Sequence, residues 1–394
     1  MDKQRDIQSV GSVAKSARFL SKRPAARNNA DRVFVAGVRG QPLHGERMAT
    51  SVTGAAWLKW IGNLMDASAG RESVSPKESE DFGCVLDEQP SHLVPERLLR
   101  GLGNVGKDEL SFNPWCHLPG AGELPGGIAE ASRTLPNGGQ ANSRLVWVQD
   151  AETESWQPYW VSPELEETIR RVRRDATEIG SLSFHVRSLL KQAEILVGRT
   201  DAAKRRAWWK QAVENCRRKF HADGYAPIVG LIHPFQLGEL RRYFRRQIRT
   251  GRVRLGDGQS PLRYIAHNDP AARFFHGQLT KAVSDLVGER VKRSYVYMAS
   301  YQGGARLEHH TDRTQCEFSV TLCLDYAPEP SGATPWPLYL DTPRGTATIY
   351  QALGDGLLYR GRNLPHYRRT LVPGHTSTSI FFHYVAESFD GPLE

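Results

Sequence analysis

Three side chains near the carboxyl end have the types and spacing to hold a metal. His310 and Asp312 are separated by one residue, and His366 follows Asp312 by 54 positions. Two imidazoles and one carboxylate are the protein donors of a mononuclear Fe(II) centre that keeps three of its six positions open for oxygen and a co-substrate. Such a donor set predicts oxidation chemistry rather than hydrolysis.

A His-x-Asp/Glu triplet is a short motif, and a chain with 13 His and 43 Asp+Glu holds roughly one or two by chance. Four occur: His44-Gly-Glu46, His221-Ala-Asp223, His267-Asn-Asp269 and His310-Thr-Asp312. His44 lies in a polar, Gly- and Arg-rich segment. His221-Ala-Asp223 runs into Gly224 at the end of a basic helical stretch, and His267-Asn-Asp269 precedes Pro270, so both read as helix punctuation.

His310 is distinguished by what surrounds it. Phe318, Val320, Leu322, Leu324 and Tyr326 alternate with Ser319, Thr321, Cys323 and Asp325, which predicts a strand with its apolar side in the core and Ser319 on a wetter face. Tyr295–Tyr301 precedes it as another strand. Leu338–Leu340, Thr346–Tyr350, Leu357–Tyr359 and Ser377–Val385 follow, with Gly, Pro, Asn or Asp in each gap. Short strands at this spacing predict an antiparallel sandwich or barrel.

Tyr301-x-Gly-Gly304, His310-x-Asp312, Gly354-Asp-Gly-Leu-Leu-Tyr359 and Leu364-Pro-His366 resemble the prolyl-4-hydroxylase-like branch of the Fe(II)/2-oxoglutarate oxygenases. The approach is similar too: Phe220–Val229, a helix beginning near His233-Pro234, and another from about Pro270 to Val287. The resemblance spans about residues 210–386. It implies an α+β fold in which a C-terminal double-stranded β-helix (jelly roll) with flanking helices follows an irregular N-terminal region. It further implies Fe(II) on His310, Asp312 and His366, with O2 and 2-oxoglutarate as co-substrates and a hydroxylase-like dioxygenase activity. The substrate class it suggests is an amino acid, a peptide or a carrier-bound small molecule.

Members of that family place an Arg or Lys on the last strand, about ten residues after the distal His, where a guanidinium can pair bidentately with the far carboxylate of 2-oxoglutarate. Here that stretch reads His375-Thr-Ser377-Thr-Ser379. His375 and Ser377 are therefore candidates for the contact, with Tyr297 as a hydroxyl donor and Arg369 as a nearby permanent charge. Arg306 and Arg368 are also close in sequence.

Composition frames the rest. The chain of 394 residues carries a net charge of +9 and 39% hydrophobic residues, with a mean hydropathy of −0.49. No run approaches the roughly 18 apolar residues of a membrane helix. Five widely spaced cysteines form neither a disulfide ladder nor a zinc pattern, which favours a reducing, cytoplasmic setting. Residues 1–45 read as a disordered basic tail and 46–160 as a region of unassigned fold. Residues 161–200 read as a helical connector, capped by Ser162 and Pro163 and carrying an apolar stripe from Leu165 to Leu196, and 201–394 as the oxygenase-like domain. Gly101-Leu-Gly-Asn-Val-Gly106 matches a dinucleotide fingerprint only formally, because no strand precedes it. Residues 201–254 hold 14 Lys/Arg against 4 Asp/Glu, which predicts a solvated basic face or an acidic partner, nucleic acid being the weaker choice. A non-catalytic binding module on the same scaffold is the alternative to an enzyme.

Overall fold

The computed structural model describes residues 82–99, 109–118, 120, 126–136, 144–198 and 200–394, with backbone only at 32–34 and 201–202. The basic residues 1–31, the Trp57–Trp60 cluster, His44-Gly-Glu46 and the Gly101–Gly106 run lie outside the described residues. In chain order the strands are β1 Arg32–Phe34, β2 Leu110–Phe112, β3 Cys116–His117, β4 Leu145–Gln149, β5 Trp156–Trp160 and β6 Leu196–Gly198. They continue as β7 Tyr225–Ile228, β8 Arg254–Leu255, β9 Arg263–His267, β10 Val291–Gln302, β11 Leu307–His310 and β12 Phe318–Ala327. The last are β13 Leu338–Thr342, β14 Gly345–Tyr350, β15 Gly356–Tyr359, β16 His366–Arg368 and β17 Thr376–Ala386. The α-helices are α1 Gly126–Thr134, α2 Pro163–Arg174, α3 Phe184–Gln192, α4 Asp201–Asp223, α5 Pro234–Arg249 and α6 Pro270–Val287. Among the described residues no helix is long and apolar enough to cross a membrane.

Two sheets carry the site. One has the order β7-β15-β12-β17-β10-β9-β8 and is antiparallel throughout. The other, β1-β14-β13-β16-β11, is antiparallel apart from the β1–β14 pair. The outer face of the larger sheet, with Val296, Met298, Phe318, Val320, Leu322, Leu324, Ile380 and Phe382, packs on Leu237, Leu240 and Phe244 of α5 and Phe274, Leu279 and Val283 of α6. Burial of each such side chain contributes about 1.5–3 kcal/mol. The opposite face meets the smaller sheet, with Leu357 and Tyr359 against Leu307, Leu338, Leu340 and Ile349. β12 is consequently buried on both faces, and Ser319, expected on a wetter face, is 0% exposed. Periodicity alone does not report a second covering layer.

Local chemistry explains the helix ends. Asp269 accepts bonds from the Ala271 and Ala272 amides ahead of Pro270, and Gly224 ends α4 with φ 79°. Both assign the neighbouring His-x-Asp triplets to helix punctuation. The continuous apolar stripe of 162–197 does not form one helix: α2 stops at Asp175, whose carboxylate caps the Thr177 amide, and Ser183 starts α3 anew. Two competing caps inside one periodic stretch divide it. Basic residues of α5 are largely matched within the chain. Arg241, fully buried, reaches Asp325 at 2.9 Å and Glu329 at 2.7 Å; Arg245 also meets Asp325, and Arg242 pairs with Glu239. A register shift in β12 between Cys323 and Asp325 turns Asp325 towards α5 while Tyr326 joins the opposite, inner cluster.

Candidate metal centre

β11 and β16 pair so that His310 stands opposite His366, which places both imidazoles on the inner face. Asp312 follows β11 and is fastened by its own amide, which donates to the Gly361 carbonyl at 2.9 Å. Asp312 Oδ1 lies 3.7 Å from His310 Nε2 and 3.5 Å from His366 Nε2, and donor atoms of the three residues all lie within 4.8 Å of one another.

Whether these residues suit a ferrous ion depends on which lone pairs are free. His310 Nδ1 is 2.8 Å from the Glu308 carbonyl and His366 Nδ1 is 3.0 Å from the Leu364 carbonyl. A carbonyl only accepts, so both Nδ1 atoms carry a proton, and it is the Nε2 atoms, facing Asp312, whose lone pairs a metal would take. Burial lowers the pKa of His366, reinforcing the neutral form, although the Asp312 charge opposes the shift. First-row metals with bonds of about 2.1 Å to nitrogen or oxygen space adjacent donors by roughly 3 Å, so small inward shifts close the site. The donor set fits. His309 points to the other side of β11, with its Nε2 2.7 Å from Asp341 Oδ2 and its ring against Tyr367.

Behind Asp312 lies a group that alternation did not flag. Ser319 Oγ donates to Asp312 Oδ2 at 2.8 Å and is 3.0 Å from His383 Nδ1. Gly361 completes the cradle: a Cβ there would sit 2.1 Å from Asp312 Oδ2 and 2.7 Å from Ser319 Oγ. Tyr295 OH lies 3.1 Å from Cys316 Sγ, and burial, with the Asp312 charge, pushes that thiol up to about 12. Ser319 left a faint signal as a hydroxyl in an otherwise apolar stretch of strand seven residues after Asp312. Gly361 left none, because the absence of a side chain matters only against a neighbour.

The residues expected at the far carboxylate of a dicarboxylate separate. Tyr297 OH donates to Asp257 Oδ2 at 2.7 Å. His375 Nδ1 is 2.9 Å from Tyr326 OH, and Ser377 is buried opposite Tyr301 and Tyr326 in the sheet register. Arg369, the residue after β16, is exposed, its guanidinium 4.8 Å above the Tyr339 ring. Arg368 points the other way. It is buried, donates to the Trp336 carbonyl at 2.6 Å, lies 4.7 Å above the Trp336 ring, and has Tyr301, Cys323, Tyr359 and Tyr326 as electrostatic neighbours. No carboxylate pairs with it among the described residues, and burial lowers its pKa. Arg263, which also reaches this interior to bond Tyr301 OH at 2.9 Å, is instead neutralised by Asp257. Arg368 shares the inner side of β16 with His366, roughly 6.6 Å further along the strand.

No protein-family model and no curated protein matches the chain. Solved structures that resemble it are Fe(II)- and 2-oxoglutarate-dependent oxygenases. A prolyl-4-hydroxylase from Pseudomonas putida is 14% identical, with 43% of this chain and 98% of that chain covered at a TM-score of 0.36. The non-heme alpha ketoglutarate dependent epimerase SnoN from nogalamycin biosynthesis is also 14% identical, covering 45% of this chain and 83% of its own at 0.38. HygX from Streptomyces hygroscopicus, crystallised with nickel and 2-oxoglutarate, is 14% identical over 44% of this chain and 86% of its own, at 0.35.

Proposed function

We propose that this chain is a non-haem Fe(II)-dependent dioxygenase that couples decarboxylation of 2-oxoglutarate to hydroxylation, or a related oxidation, of an amino acid, a peptide or a carrier-bound small molecule. Its two facing sheets are read as the halves of a double-stranded β-helix, within a catalytic unit at 201–394. The observation that supports this most directly is the pair of Nε2 atoms converging on Asp312 Oδ1, with a buried guanidinium two residues beyond His366 that no carboxylate among the described residues matches. His310, Asp312 and His366 would hold ferrous iron, which when bound would supply a centre for oxygen activation, with 2-oxoglutarate decarboxylation as the source of two electrons. Arg368 would receive the distal carboxylate of 2-oxoglutarate, leaving the keto-acid end free to reach the metal-binding residues. Asp312 neutralises part of the metal charge, and the buried walls formed by Tyr301, Tyr326 and Trp336 exclude water around the second carboxylate. A buried guanidinium without an acid is costly on its own, and an incoming dicarboxylate relieves that cost.

Anaerobic Fe(II) titration tests the reading, with and without 2-oxoglutarate, following the visible charge-transfer band of the ternary complex. The wild type is expected to bind one iron and develop the band, and Asp312→Ala to lose both. Arg368→Met should keep iron while needing at least about thirtyfold more 2-oxoglutarate, in line with the 2–5 kcal/mol lost when one partner of a buried charge pair is truncated. Absence of iron binding in the wild type would leave a non-catalytic binding module.

A further inference from the structure

A ligating carboxylate can offer one oxygen or two, and the second oxygen would consume a coordination position that co-substrate and oxygen need. In this chain the second oxygen is already occupied. Asp312 Oδ2 accepts from Ser319 Oγ at 2.8 Å and lies where a Cβ on residue 361 would be 2.1 Å away. An ionised carboxylate only accepts, so the Ser319 hydroxyl must be the donor, and its oxygen must accept from His383 Nδ1–H at 3.0 Å. Ser319 and His383 face each other across the β12–β17 pair, which fixes their separation through the sheet and not through a flexible loop. Burial holds the His383 imidazole neutral, lowering it to about 4. Its second face is packed, with the ring 4.7 Å from that of Tyr295 and its carbonyl accepting from His276 Nε2 at 2.8 Å.

We propose that the chain His383–Ser319–Asp312 restricts Asp312 to a single ligating oxygen, so that His383 and Ser319 are positioning residues for the metal's open coordination positions. The proposal rests on the iron reading above. It also accounts for a competing arrangement: Asp312 lies within 4.8 Å of donor atoms of Cys316 and His383 as well as those of the histidine pair. Ser319 engages Asp312 Oδ2 and His383 Nδ1 by hydrogen bonds and so stands between these two members of that second group. The carboxylate is thereby kept facing His310 and His366.

The test uses full-length protein loaded with Co(II), whose visible bands report coordination number, together with anaerobic metal and 2-oxoglutarate titrations. Ser319→Ala should weaken metal binding about 10–100-fold, the usual cost of losing a group that orients a ligand. The same variant should show a changed cobalt spectrum and weaker 2-oxoglutarate binding to the loaded protein. His383→Leu should move all three readouts in the same direction. His383→Asn, which places an amide N–H near the Nδ1 position, should restore them. Because His383 acts through Ser319, the double variant Ser319→Ala/His383→Leu should be no weaker than Ser319→Ala alone. Additive losses in the double variant, or an unchanged cobalt spectrum in Ser319→Ala, would overturn the proposal. A wild type that binds neither Fe(II) nor Co(II) would remove the iron reading itself, a result distinct from metal-binding variants that match the wild type.

Discussion

Gly361→Ala is the sharpest probe of the site because it adds one methyl group and no charge. Its Cβ would lie 2.1 Å from Asp312 Oδ2, 2.9 Å from Asp312 Cγ and 2.7 Å from Ser319 Oγ. Ordinary carbon–oxygen contacts exceed 3 Å, so the carboxylate has to retreat by roughly 1 Å. Metal–ligand distances tolerate only about 0.2 Å, and the retreat strains the Ser319 hydrogen bond as well. Loss of one ligand's geometry together with its orienting bond should lower metal affinity by at least about 100-fold, or roughly 2.7 kcal/mol. Gly361 has no left-handed backbone to protect, so the cost to the metal-free fold comes only from crowding Asp312 and Ser319 and should stay within the about 1–3 kcal/mol of overpacking. Anaerobic calorimetry with Fe(II), beside circular dichroism and a thermal melt of the metal-free protein, separates the two effects. A folded Gly361→Ala protein that binds iron within threefold of the wild type would refute the reasoning.

Other outcomes follow from the same geometry. His366→Ala should abolish stoichiometric iron binding whereas His309→Ala, on the outer side of β11, should retain it; metal content after anaerobic dialysis decides. Burial lowers His276 from 6.5 to about 3. The unfolded chain therefore binds more protons between those values, and stability is present above pH 6.5 and lost as pH falls towards 3, by on the order of 4–5 kcal/mol. His276→Gln, which keeps a donor for the His383 carbonyl, should give a visibly shallower Tm–pH profile over that window. Leu322→Ala, on the helix-facing side of β12, should cost about 2–5 kcal/mol in urea unfolding. Ser319→Asp should abolish metal binding because it buries a second carboxylate against Asp312; normal iron loading in that variant would contradict the packing around Asp312.

Much of this protein is written in local pattern. The alternation of 318–326 and the punctuation around each short strand located the sheets because a pleated strand repeats every two residues whatever surrounds it. Ser162, Asp269 and Gly224 marked helix ends because capping is settled within one turn. His310, Asp312 and His366, singled out by residue type and spacing, do come together, with donor atoms within 4.8 Å of one another. Tertiary structure decided what depends on which surface covers which. Periodicity made Ser319 the wet side of β12, yet a second sheet buries it against Asp312. Adjacent Arg368 and Arg369 are indistinguishable in sequence, but Arg368, the last residue of β16, lies in the interior beside Tyr301 and Trp336, while Arg369, just past the strand, lies out over Tyr339. The arginines of α5 looked like a free basic face until the β12 register shift brought Asp325 among them. Gly361 mattered only once Asp312 lay against it. Local propensity sets where a side chain can be, whereas charge pairing, burial and close contact arise between residues far apart in the chain, and only the assembled fold fixes those.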